Sequence, residues 1–225
     1  MKYWALVIAG LYGLILIALT CPVALLAFIP EISLSNAAEV YLFWPYWCWV
    51  AVMLICQLAL LLVPVRTTRT RPISRQTIFW PIFASGLMMG GLIFGLIFSV
   101  DEFVEQAVAP SNWVAWSALA VALLLWLTWT LIFFRLSRGK KPTDVISQQC
   151  RYLLKGSILE LLIAVPTHLV ARYRDYCCAG YMTFIGIALG ISVMLLSFGP
   201  GIFFLYLDRW KRVRPQKSTP DKPSN

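Results

Sequence analysis

Apolar runs of about 20 residues or more recur along this chain, separated by short polar stretches, and that pattern excludes almost every water-soluble fold. A bilayer's hydrocarbon core is about 30 Å thick and takes about 20 helical residues to cross. Runs of that order occupy 4–29, 41–63, 78–100, 113–134 and 180–207. A further segment, 152–171, is apolar but holds Lys155, Glu160, Pro166 and His168. Only 13% of residues are charged and 60% are apolar, with a mean hydropathy of +0.76. Soluble domains carry about 25% charged residues, so the solvent implied here is lipid. The expected fold is an all-α integral membrane protein, a helical bundle of about six transmembrane spans.

The charges predict the orientation. With six spans and a cytoplasmic N-terminus, 17 of the 19 lysines and arginines fall on the inner side, leaving only Arg172 and Arg174 outside. The outer side then receives Glu31, Glu39, Asp101, Glu102, Glu105 and Asp175. Five spans would put the basic tail outside, against the positive-inside rule. Both termini are therefore expected in the cytoplasm. Trp44, Trp47 and Trp49, with Trp113 and Trp116, would mark the outer interface, and Trp80 and Trp210 the inner one, as an aromatic belt. The first run exceeds the 7–15 apolar residues typical of a signal peptide and reads as an uncleaved span. The net charge of +9 serves topology in this pattern, and nucleic acid is not an expected partner.

Four regions follow: a four-span bundle over 1–134, a basic cytoplasmic loop over 135–151, a polar helical hairpin over 152–207, and a basic, disordered cytoplasmic tail over 208–225. The weak fifth span has a rival reading as an amphipathic helix on the cytoplasmic surface. Its polar positions do not gather into a narrow stripe, which favours a span whose charges face the bundle interior.

Small residues four apart let helix backbones approach closely. Gly86/Gly90 and Gly91/Gly95 lie in the third run, Gly186/Gly190 in the last, and Ala9/Gly13 in the first. Such pairs serve packing within the chain, or else a homo-oligomer or partner-subunit face. The stretch Ser197-Phe198-Gly199-Pro200-Gly201 is expected to kink or unwind the last span.

The chemistry-bearing residues concentrate between Glu160 and Gly180. An intramembrane carboxylate (Glu160), the one histidine (His168), Arg172, Arg174 and the adjacent pair Cys177-Cys178 share 21 residues. A charged residue at the bilayer centre costs about 2.5–3.5 kcal/mol on insertion scales, so Glu160 should be paired, protonated or functional. His168 and Arg172 are four apart, on one helix face, and could hold an anion together. Glu160 and His168 are eight apart, about 12 Å along a helix, too far to share one small ligand. A metal ion would draw on His168, Cys177 and Cys178 with a carboxylate from a neighbouring loop. On an oxidising face the two cysteines could instead pair with each other, or one with Cys48.

One histidine excludes an H-E-x-x-H zinc protease, and no Walker A or G-x-S-x-G motif is present. No enzymatic constellation stands out. The reading is a multi-pass membrane protein, of bacterial inner-membrane style, with a candidate ion- or metal-binding site in its C-terminal hairpin. A transporter or channel subunit and an assembly subunit are the alternatives.

Overall fold

The computed structural model describes residues 2–18, 39–42, 44–67, 75–104, 112–140, 142–173 and 180–213. Among the described residues six helices run in chain order: α1 (Lys2–Ala18), α2 (Trp44–Thr67, preceded by a 3-10 turn at Val40–Leu42), α3 (Arg75–Val104), α4 (Asn112–Ser137), α5 (Pro142–Arg172) and α6 (Tyr181–Val213). No strand occurs among the described residues. The reason lies in the solvent: an apolar surrounding cannot bond backbone amides, and a helix satisfies them within one segment. Five of the six helices are long and apolar enough to cross a membrane. Only α1, with 17 described residues, is shorter.

The all-helical, membrane-type fold expected from the apolar runs is thus present. Three segments depart from expectation in detail. The stretch 135–151 contains much less loop than anticipated, because α5 begins at Pro142 and extends to Arg172 without a break. Proline suits the first helical turn, and Asp144 places a negative charge at the positive end of the helix dipole. Val145, Ile146, Gln149, Cys150 and Leu153 then bury one face at helical spacing. Basic residues on the opposite face disguise this amphipathic start.

The second departure concerns Ser197–Gly201, where of the two forms expected, a kink or an unwound turn, only the unwound turn is contradicted. The helix α6 continues through Pro200 to Val213, with no unwound turn. Proline removes a single ladder bond, and a helix packed among neighbours tolerates that loss. Ser197 Oγ donates to Val193 O at 2.8 Å, one turn earlier. Pro166 is likewise accommodated inside α5.

Third, the polar residues of the fifth span do gather on one face. Gln149, Ser157, Glu160, Thr167 and His168 are buried, whereas Arg151, Tyr152 and Lys155 are exposed on another face. Ile158, Leu159, Leu162, Leu169 and Val170 are exposed. A surface-lying helix would turn its polar face to water and bury the apolar one. Here the polar face is covered by protein and the apolar face is outermost, as a span in lipid requires.

The helix α3 occupies the middle, with α2, α4, α5 and α6 packed around it. Between α1, α2, α3, α5 and α6 lies an apolar cluster that includes Leu16, Met53, Leu60, Leu92, Leu153 and Leu196. Tyr12 OH ties α1 to α6 by donating to Ser192 O at 3.1 Å. Lipid removes the hydrophobic drive between spans, so close backbone approach and dispersion carry much of the association. Exposed Trp44 and Trp47 at the start of α2, with Trp116 near the start of α4, lie at one end of the antiparallel bundle, and exposed Trp80 near the start of α3 lies at the other.

Candidate functional site: a polar seam around Glu160

The glycines of the third run divide between two seams, and the division defines the site. Gly86 and Gly90 face α4: a Cβ on Gly86 would strike the Thr130 hydroxyl and come within 2.9 Å of its backbone, and one on Gly90 would lie 3.0 Å from Trp126 N. Both positions are filled within the chain. Gly91 meets only the tips of Leu189, at 3.6 and 3.7 Å. Gly95 faces α6, where its Cβ would come within 3.3 Å of Gly186 Cα. Reciprocally, a Cβ on Gly186 would lie 2.6 Å from Ser99 Oγ and 3.2 Å from Gly95 O. With no side chain on either helix at this level, α3 and α6 nearly touch.

Into that crossing α5 inserts Glu160, which is 1% exposed. A Cβ on Gly95 would collide with one carboxyl oxygen, and a Cβ on Gly190 would approach the other at 3.0 Å. The carboxyl thus lies in a slot walled by bare glycine backbone on both sides. Neither of its oxygens has a hydrogen-bond partner. Ser99, across the slot, donates its hydroxyl to Gly95 O at 2.9 Å, and Ser157, one turn before Glu160, donates to Leu153 O at 2.9 Å. Both hydroxyls spend their protons on backbone carbonyls.

Two helical turns beyond, His168 is 1% exposed and pairs with Thr183 of α6, its Nδ1 lying 2.8 Å from Thr183 Oγ1. The threonine hydroxyl also reaches Gly180 O at 3.0 Å. A hydroxyl has one proton; with it directed to Gly180 O, the hydroxyl oxygen accepts from His168 Nδ1–H. Gly180 has φ +88°, a left-handed conformation suited to glycine, and its carbonyl accepts the first bond of α6 from Phe184 N at 2.9 Å. A Cβ there would press on the imidazole at 2.9 Å and on Arg172 Cδ at 3.2 Å. His168 and Arg172 therefore share one wall, as their spacing predicts.

Glu160 and His168 occupy the same helix face yet engage different partners, so they form two stations of one seam. Gln149 is a third polar position toward the other end, where Ser85 Oγ donates to its Oε1 at 3.2 Å. Arg174, Cys177 and Cys178 lie outside the described residues, and with them most of the anticipated metal set. No group of three histidine, cysteine or acidic side chains that could hold a metal occurs among the described residues. Cys48 is a free, exposed thiol.

Ser99, Thr183 and the opposition of Gly95 to Glu160 were not evident from sequence. A usable signal existed: Thr183, Gly186 and Gly190 recur at three- and four-residue spacing, the period of one helix face. No family model, curated protein or solved structure matches this chain.

Proposed function

We propose that this polytopic membrane protein binds a proton or a small hard cation at Glu160, midway along the α3–α5–α6 seam. One observation carries the reading: a carboxyl removed from solvent and left without a hydrogen-bond donor on either oxygen. An unpartnered carboxylate in such a place is too costly to persist, so the group must be neutralised by a proton or by a cation. The nearby atoms are carboxyl, hydroxyl and carbonyl oxygens, a donor set suited to hard ions. His168, Arg172 and Thr183 would line the approach from the far end. The orientation that the charges favour puts that end outside the cell and both termini in the cytoplasm of a bacterial inner membrane. A transporter or channel subunit is the activity class that uses such a site.

The test uses a membrane-permeant carbodiimide, which reacts with protonated carboxyls, on the full chain in liposomes. Mass spectrometry should locate the adduct on Glu160, and its yield should fall as pH or the concentration of a bound cation rises. Glu160→Gln should lose the adduct and retain the fold. An adduct yield indifferent to both pH and cations, or no adduct at any pH, overturns the proposal.

A further inference from the structure

We infer that the basic end of the bundle, where α3, α4 and α5 meet, is a binding site for an anionic phospholipid. This inference is independent of Glu160 and requires only that the helices stand in a bilayer. Two grooves adjoin there and share Lys140. The first, about 510 Å³, runs along α5 and is lined by Lys140, Asp144, Gln148, Arg151, Tyr152 and Lys155. The second, about 720 Å³, lies between α3 and α4, walled by Ile78, Phe79, Ile82 and Phe134, and ends at Arg138 and Lys140. Each is within the range of small-ligand sites, about 300–1,000 Å³.

The chemistry of the two grooves is complementary to the two parts of one lipid. Gln148, Arg151, Tyr152 and Lys155 recur at three- and four-residue spacing, on one exposed stripe of α5. Among the described residues their cations have no carboxylate partner: Arg151 Nε donates to Ser147 O at 3.4 Å, and Lys140 Nζ to Gln148 Oε1 at 2.6 Å. Among the described residues that line the groove, Asp144 is the one acid, so three positive charges face one negative. Gly139, with φ +75°, turns the chain between α4 and α5 and sets Lys140 at the junction. Arg138 lies over the Phe134 ring at 5.7 Å, holding its guanidinium at the mouth of the apolar groove. A phosphate bound by Lys140 and Arg151 would leave its acyl chain beside Ile78, Phe79 and Phe134, already at hydrocarbon depth. Basic pockets between spans, at the charged face of a membrane, take anionic headgroups by this combination.

The experiment is native mass spectrometry of the purified full chain with phosphatidylglycerol, phosphatidylcholine or inorganic phosphate added separately. Phosphatidylglycerol should remain bound and raise the melting temperature, whereas the other two should do neither. The triple variant Lys140→Gln, Arg151→Gln, Lys155→Gln should bind phosphatidylglycerol about a hundredfold more weakly. Arg135→Gln, an exposed charge outside both grooves, should bind as the wild type does. Equal retention of both lipids, protection by inorganic phosphate alone, or unchanged affinity in the triple variant overturns the proposal. Should that variant fail to fold, a photoactivatable phosphatidylglycerol on the wild-type chain decides: crosslinks within 78–82 and 134–155 support the site, and crosslinks elsewhere refute it.

Discussion

The helices α4 and α5 follow one another in the chain, are both long enough to cross a bilayer, and are used in opposite ways. The more apolar of the two, α4, fully buries few of its residues: 6% of those in its span, against 33% for α5. Large apolar side chains project from one face of α4, among them Trp116, Leu124, Leu127 and Leu131. Its single substantial seam is with α3, at Gly86 and Gly90. By contrast α5, which carries Glu160, His168 and Gln149, packs on both α3 and α6. In water the apolar helix would be the one to bury. Lipid reverses that preference, because it solvates leucine as well as a protein interior does and cannot solvate a carboxyl or an imidazole. Burial in this bundle therefore follows polarity, and the costly residues draw neighbours around themselves.

Four substitutions would break or sharpen that contrast. The largest effect is expected from Leu124→Asp, which puts at the exposed middle of α4 a carboxyl like the one α5 hides. Insertion should become less favourable by about 2.5–3.5 kcal/mol, measured by glycosylation-reporter partitioning; normal insertion would mean that α4 is covered by protein rather than lipid. Next comes Gly86→Leu, which forces side-chain atoms into the Thr130 backbone. It should destabilise by about 2 kcal/mol in denaturant titration and release α4 alone, leaving the α5–α6 contact intact to crosslinking. If α5 loosens as well, the two seams are coupled. Thr183→Val removes the hydroxyl that pairs with His168 Nδ1 and should cost about 1 kcal/mol in the same titration. A neutral result would show that another group takes its place. Smallest of all, Leu131→Ala on the lipid face of α4 should shift stability by less than about 0.5 kcal/mol, while a loss above 2 kcal/mol would place Leu131 in an interface.

How far the site was legible depended on the kind of residue. Glu160 announced itself because a carboxyl inside an apolar run has a known cost, and His168 with Arg172 because four residues return a helix to the same face. The slot around Glu160 was not legible, since it is made by residues without side chains on two other helices. Gly95 and Gly190 were recognisable as packing glycines, but which helix each would meet depends on bundle geometry. The extra turns of α5 were missed for a different reason: Lys140, Lys141 and Arg151 looked like loop, although Ile146, Gln149 and Leu153 keep helical period. Arg174, Cys177 and Cys178 remain expectations of the sequence, beyond the described residues.

From its residues alone, this chain determined that it would be helical, that lipid would be its solvent, and which of its ionisable groups would be out of place there. Those are local matters: transfer free energy and backbone bonding depend on a residue and its near neighbours. Only the tertiary structure decided that Glu160 would lie between Gly95 and Gly190, and that Lys140 would join two grooves. Helix pairing inside a membrane is settled by close surface fit among similarly apolar spans, and fit belongs to pairs of surfaces that one-dimensional spacing does not bring together.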